Sequence, residues 1–489
     1  MKKILILLLV NLLSVGYAQT DSSSSFHFDS SDKELASSVN WAKNRALLYS
    51  YNGTDPVGYW YMAAFPNREA FCMRDVSHQS IGAEILGLGP HNLNMVVKFC
   101  QNISESKNFA TYWEINRYNN PAPVDYENDQ DFWYNLPSNF DLIYAIKRIY
   151  DWTENTNYIQ DNTIENFISL SLNEYVDEWE ISSDKVTLRD RFMYVQKQNE
   201  FPNNRFGNTR GIPTYYERGS MLSLLGIDLT ASYIAALKSQ VALLKQRKAK
   251  KPEIERYKNK LENEINFLNT YWWDESKNAF KSILYEDLTF DYYSVGKDEA
   301  LLHFLIYFDV LEDLGRMNDI MDWYSKNQQK LIIELKSYLP IFFYQYGYSS
   351  LANKMIKELC HENNKRRDYP EISFTVIEHV SRGLMGIDVN PNYIETMSRL
   401  EKDQKWASVD GVSIKGTMVG VKHFGKKKTI VENQGQKKLD FKIKFEGKHN
   451  CIEVNEQNLN ATTEVEKGKT ISYVLVSIEP SEKIEAEVF

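Results

Sequence analysis

The sequence predicts a mainly α fold, an α/α toroid over residues 32–404, followed by a small β-sandwich-like domain over residues 405–489. Three observations lead there. Apolar residues recur at three- and four-residue spacing from Asp32 to about Leu400, in segments that pair into hairpins. The loops between them are unequal and no regular period emerges, which disfavours a superhelical repeat array. Near Trp406 the texture changes to short alternating runs, the pattern of strands.

Lys33 to Tyr51 is the first predicted helix, with Leu35, Val39, Trp41, Leu47 and Leu48 apolar. Val76 to Leu88 and His91 to Ile103 follow, parted by Gly87-Leu88-Gly89-Pro90, a stop and a restart. Asn139 to Trp152 pairs with Tyr158 to Trp179, and Leu222 to Arg247 with Pro252 to Trp272. Asp298 to Leu314, Met317 to Gln329, Ser337 to Tyr346 and Ser349 to Glu362 make two more pairs; Ile372 to Gly386 and Asn392 to Leu400 close the series. About twelve helices in six hairpins can close into a ring whose loops form a funnel at one end. The longest loops run from about Ala110 to Pro137 and from about Glu180 to Met221, where function often resides. Beyond Trp406, Val412-Ser413-Ile414-Lys415, Met418 to His423, Thr429-Ile430-Val431, Leu439 to Phe445 and Ile471 to Ile478 read as strands. Lys415, Lys422 and Lys426 to Lys428 are read as a solvated edge.

Met1 to Ala18 has the form of a secretory signal: Lys2-Lys3, an apolar run, then Gly16-Tyr17-Ala18. Residues 19–31, with their serine run, read as a flexible leader, and a periplasmic or secreted location is expected. No other stretch has the length and apolarity of a membrane span. A net charge of -9 leaves no basic surplus for nucleic acid. Cys72, Cys100, Cys360 and Cys451 show no metal or redox spacing, and the eight histidines are scattered. No cofactor and no metal are therefore expected. A Cys72–Cys100 disulfide and buried free thiols both remain open.

The 31 Tyr, 24 Phe and 10 Trp, together with many acids, suit a neutral polyhydroxylated ligand, although most will be core. The stretch Ala70 to Gln79 sets Arg74 beside Asp75 at a helix mouth, with His78 one turn on. A helix cap is the plainer reading of Asp75. Pro213-Thr214-Tyr215-Tyr216-Glu217 ends the longest loop, and Tyr369-Pro370-Glu371 precedes the last large helix. Each glutamate could simply complement a helix dipole, or act as a catalytic acid or base. Asp298 and Glu299 are the alternative acids, and Trp113 and Trp133 sit in the other long loop. Phosphate-cradling glycines, a His-Glu-x-x-His run and a Gly-x-Ser-x-Gly elbow are all missing from the sequence.

With Arg74-Asp75 opening an inner helix and Glu371 preceding the last one, the chain resembles the six-hairpin glycosidases, glucoamylase-like and α-L-rhamnosidase-like. The resemblance implies an (α/α)6 barrel and an exported, exo-acting glycoside hydrolase on an oligosaccharide or polysaccharide. It implies that Arg74 and Asp75 hold the terminal sugar, that Glu371 is the general base, and that Glu217 is by position the general acid. His78, Trp113, Trp133, Tyr215 and Tyr216 are the expected substrate contacts. Inverting chemistry is expected from such a carboxyl pair. Met73, where several members carry an aromatic, and the surroundings of Glu217 depart from the family pattern. An unsaturated-uronide hydrolase, supported by Arg74, Arg117 and Arg210, a polysaccharide lyase and a non-catalytic glycan binder stay open.

Overall fold

The computed structural model describes residues 24–188, 210–215, 223–285, 287–292 and 301–489. Among these, outer and inner helices alternate along the chain. The outer set is α1 (Lys33–Leu48), α3 (Gly89–Gln101), α5 (Asn162–Leu172), α7 (Lys251–Tyr271), α9 (Leu314–Asn327) and α11 (Ser349–Cys360). The inner set is α2 (Met73–Ile85), α4 (Pro137–Thr153), α6 (Ile227–Gln246), α8 (His303–Tyr307), α10 (Leu339–Gln345) and α12 (Pro370–Glu378). A π-helical turn, His379–Leu384, extends α12.

Patterning decides which ring a helix joins. In α1 the buried residues Leu35, Val39, Ala42 and Ala46 form one stripe, and Asp32 caps the start by accepting from the Leu35 N–H at 3.0 Å. In α2 every residue except Arg74 is buried, polar ones included. Such a helix needs neighbours on all sides, and it packs between α12 and α4. Gly82 permits the closest approach: a Cβ there would stand 2.0 Å from the Phe374 carbonyl oxygen of α12. Gly87, at φ +85°, ends the hairpin turn, and Pro90 starts α3. The inner ring continues from α4 to α6 and α8, and α10 packs against His379–Leu384 to close it.

The β region holds two sheets. The seven-stranded one runs His27–Ser30, Trp406–Ile414, Thr417–Phe424, Lys428–Asn433, Lys483–Glu487, Cys451–Val454 and Gln457–Asn460. The five-stranded one runs Asp388–Asn390, Tyr393–Met397, Leu439–Glu446, Lys469–Ile478 and Thr462–Glu466. The seven-stranded sheet is braced on the barrel. The Trp152 indole donates to the Ser413 carbonyl at 2.7 Å, and His423 bridges Thr429 and the Met385 carbonyl.

Several expectations change. Asn392 to Leu400 is not a helix: Tyr393–Met397 is a strand paired parallel to Leu439–Glu446, with Ile394 and Thr396 buried in alternation. Pairing, not propensity, decides a run this short. His27–Ser30, expected within the flexible leader, pairs antiparallel with Trp406–Ile414 and buries Phe28. Tyr158 to Trp179 is broken at Asp161 and Asn173, because Asp161 turns to cap α5. Lys415 is not on a solvated edge. It is 7% exposed, and its ammonium donates to Glu154 and the Asn390 carbonyl. Ser223–Gly226, expected as helix, joins a small sheet with Ala279–Tyr285. Cys72, Cys100 and Cys360 are buried free thiols.

Candidate active site

The start of α2 is pinned from both sides. Ala70–Cys72 pairs with Glu114–Asn116, and the Met73 N–H donates to the Trp113 carbonyl at 3.0 Å. The Arg74 guanidinium consequently lies over Trp113 at 5.4 Å and over Tyr215 at 4.8 Å. Tyr215 is itself held tightly. Its N–H donates to Asp228 at 2.6 Å, and its hydroxyl donates to Asp141 of α4. Asp228, in the first turn of α6, also accepts from Thr214 at 2.8 Å. The ring of Tyr215 stacks on Phe304 of α8 with centroids 4.4 Å apart.

On the neighbouring inner helix, Pro370 starts α12 and holds Tyr369 extended, so Tyr369 and Glu371 both reach inward. The Tyr369 hydroxyl donates to Asp75 at 3.0 Å. Glu371, 2% exposed, is hydrogen-bonded through Oε1 to Nδ1 of His78. The His78 ring stacks face to face on Tyr338, centroids 3.4 Å apart and planes at 7°. With its amide turned to satisfy both ends, Gln79 accepts from the Glu371 N–H at 3.0 Å. Between these elements lies a cavity of about 90 Å³. Arg74, Asp75, Tyr215, Tyr338, Tyr369 and Glu371 line it, with Phe304 and Leu335 on its apolar side.

Burial governs the charges here. It pushes the Glu371 carboxyl up to about 8, and Arg74 only partly opposes it. Asp75 is pushed well above the usual carboxylate range by burial and then by Glu371, again opposed by Arg74. Asp141 is raised by burial, and Asp228 is raised to about 7 for the same reason. His78 is driven far down by burial, so its imidazole is neutral at pH 7. The pocket thus sets two carboxyls raised by burial, Asp75 and Glu371, beside one permanent cation and a third carboxyl, Glu334. Such a site can donate a proton and orient hydroxyl groups.

Arg74, Asp75, Tyr215 and Glu371 meet as expected, though they come from opposite ends of the sequence. Burial raises the Glu371 carboxyl by more than a helix N-terminus would lower it. His78 stands behind Glu371 and not on the cavity wall. Trp113 supports Arg74 from below, and Trp133 packs edge-on against Trp113. Arg117 is engaged by Asp55 and Glu69 at 2.6 and 2.7 Å. Glu217, Tyr216, Asp298 and Glu299 lie outside the described residues, as does Met1 to Ala18. Sequence reasoning missed Tyr338, Asp141 and Asp228. Only Asp228, two residues after Gly226 in the first turn of a helix, carried any local signal.

Solved structures share this fold. An α-L-rhamnosidase of Streptomyces avermitilis complexed with L-rhamnose superposes with a TM-score of 0.56 at 10% identity, over 96% of this chain and 42% of that one. A family GH78 rhamnosidase of Bacillus sp. GL1 gives 0.58 at 11% identity, over 84% and 40%. The chain has the fold of the six-hairpin glycosidases. An α-L-rhamnosidase of Aspergillus terreus gives 0.55 at 10% identity, over 95% of this six-hairpin chain and 51% of that one. The chain thus spans about half the length of these structures. No protein-family model matches it, and no curated protein matches it. Among the described residues no helix of the barrel is long and apolar enough to cross a membrane.

Proposed function

We propose that this six-hairpin barrel is an exported, exo-acting glycoside hydrolase that removes a terminal sugar by two-carboxyl acid/base hydrolysis. One observation carries the reading: a confined cavity on the barrel axis collects Arg74, Asp75 and Glu371 among tyrosine rings. Glycoside cleavage needs a carboxyl that holds a proton beside a site for the sugar. Ring faces and fixed polar groups suit a pyranose, and a small cavity favours the end of a chain over its middle. Arg74 and Asp75 orient the sugar hydroxyls, while Trp113 and Tyr215 hold Arg74 in place.

In this reading Glu371 enters the reaction protonated and serves as the general acid, the opposite of the role that the resemblance implies. Glu217 is the proposed second carboxyl, the base of an inverting mechanism, because it follows the pocket residue Tyr215 by two positions. A panel of aryl and alkyl glycosides, with product anomers followed by NMR, tests the proposal. Hydrolysis with inversion is the expected outcome. No turnover on any terminal glycoside would remove the enzyme reading, and retention would remove the inverting one. N-terminal sequencing of the mature protein tests export, with cleavage after Ala18 expected.

Arg74 supports one second reading, an unsaturated-uronide hydrolase, since a guanidinium pairs well with a carboxylate. Loss of ultraviolet absorbance from an unsaturated uronide would favour it.

A further inference from the structure

Two cavities meet back to back inside the barrel. The front one is the pocket just described. The rear one, about 280 Å³, opens toward the β region and is lined by Arg148, Glu378, His379, Arg382 and Asp388. Tyr338 lines both, and His78 lines the rear one while bonding to Glu371 of the front, so their stacked rings form a partition. A sugar chain held in the front cavity is closed off behind and leaves past the rim. Among the described residues that line this cavity, only Arg74, Ile332 and Glu334 are not buried. Ile332 and Glu334 belong to one segment, at the one-turn helix Ile333–Lys336. Glu334 is therefore a carboxyl at the rim, and the acid/base pair described above gives it no task.

Arg366 meets it there, with Nη1 2.6 Å from Oε1 of Glu334. The other carboxylate oxygen, Oε2, and the other guanidinium nitrogen, Nη2, are shielded from water and have no hydrogen-bond partner among the described residues. Arginine and carboxylate often pair through two parallel hydrogen bonds. This pair makes one contact and leaves an acceptor and a donor over, which is costly for charged groups. A hydroxyl both donates and accepts, so it is the ligand group that answers both. The guanidinium is held over the rings of Phe65 and Tyr369, at 5.1 and 5.2 Å. Tyr369 lines the cavity and donates to Asp75, so the pair adjoins the sugar site. After burial and Arg74, the groups that act on the Glu371 carboxyl include Glu334, which raises it, and Arg366, which lowers it.

We propose that Glu334 and Arg366 form the leaving-group subsite: they bind the hydroxyls of the residue next to the terminal sugar and so select a sugar over an apolar aglycone. The inference rests on the glycosidase reading, since only a cleaved chain has a leaving group. Glu334 accepts from the neighbouring residue and Arg366 donates to it. An apolar aglycone offers neither group and leaves the pair half-met, the situation in which a polar site discriminates best.

Two probes in the full-length protein isolate this role: the methyl glycoside and a disaccharide of the same terminal sugar, the sugar being the one that the glycoside panel identifies. Both have unactivated alcohols as leaving groups, so a change in Glu371 moves both together. Glu334→Ala should lower kcat/KM on the disaccharide roughly 10–100-fold and on the methyl glycoside by less than about threefold. Arg366→Met, whose chain still covers Phe65 and Tyr369, should show the same selective loss. Equal losses on both probes, or none on either, overturn the inference. Should Glu334→Ala fail to fold, Glu334→Gln carries the comparison; it keeps an acceptor, and a smaller loss confined to the disaccharide is expected. Calorimetry in a Glu371→Gln background reads binding without turnover, using a set of disaccharides and their component monosaccharides. A disaccharide that binds more tightly than its monosaccharides, loses that advantage in Glu334→Ala, and is never cleaved by the wild type refutes the glycosidase reading and leaves the subsite standing. Disaccharides that bind no better than monosaccharides refute the subsite, whatever the wild type cleaves.

Discussion

Glu371 and Glu378 lie on the same helix, seven residues and roughly 10 Å apart, and both are buried, at 2% and 4% exposure. Their charge states are nevertheless opposite. Glu371 faces the front cavity, where burial raises its carboxyl to about 8 against the partial opposition of Arg74. Glu378 faces the rear cavity, where burial also works to raise it, but Arg148 and Arg382 together outweigh burial and hold it below the usual range. Both arginines contact it, Arg382 at 2.6 Å. At the front, Arg74 lies over two aromatic rings, and Glu371 is hydrogen-bonded to a neutral imidazole. Burial thus does not by itself decide whether a carboxyl carries charge. The number and placement of cations within hydrogen-bond reach decide it. One end of the barrel is a proton-holding pocket and the other a neutralised ionic brace.

The sharpest test of this contrast is to remove each carboxyl. Glu371→Gln should cut turnover on unactivated alkyl glycosides by about 10²–10⁴-fold, with a milder loss on activated aryl ones. Its denaturation midpoint should not fall, because the amide replaces a carboxyl that is already neutral. Glu378→Ala should do the reverse, costing about 3–5 kcal/mol of folding stability by leaving Arg148 and Arg382 buried beside a void. Equal stability losses in the two variants, measured by urea titration, would erase the distinction.

Gly82→Ala probes the seam between the helices that carry Asp75 and Glu371. The added methyl meets backbone, not a yielding side chain, so a loss of about 1–3 kcal/mol is expected. Activity should fall as well, since α2 and α12 must part. A fully active variant with unchanged thermal stability would mean that the seam is looser than described.

A pH titration of stability is the most diagnostic test. The folded pKa of Glu371 is raised from 4.5 to about 8, so the native state binds more protons than the unfolded chain between those values. Stability from this group is therefore present below pH 4.5 and is lost as pH rises toward 8. Glu371→Gln should flatten that decline. Glu378 runs the other way: its lowered pKa stabilises the fold above the unfolded value, and that contribution fades as pH falls into the acid range. A wild-type curve with no slope between pH 5 and 8 that Glu371→Gln removes would contradict the proton on Glu371.

Much of the barrel was legible because its signals are local. Pro90, Pro252 and Pro370 each start a helix, and Gly87 ends a hairpin turn at positive φ. The stripe of α1 and the alternation after Trp406 report burial at their own periods, which the chain carries without reference to its fold. Arg74, Asp75 and Glu371 were visible because acids and a cation at helix starts stand out from apolar surroundings. The chain by itself thus determined a helical ring, a β region and four members of the pocket, Tyr215 being the fourth.

Tertiary structure decided the rest. Tyr393–Met397 became a strand only because Leu439–Glu446 offers an edge to pair with. His27–Ser30 left the leader for a sheet because Trp406–Ile414, almost four hundred residues later, had an unpaired side (about 380 positions by numbering). Lys415 lost its solvent to Glu154 and the Asn390 carbonyl. Tyr338 and His78 became a partition through stacking between elements that share no sequence pattern. The charge of Glu371 was decided the same way. A helix start favours an ionised acid, but desolvation depends on what closes over the carboxyl, and that is known only once α2, α10 and α12 are assembled.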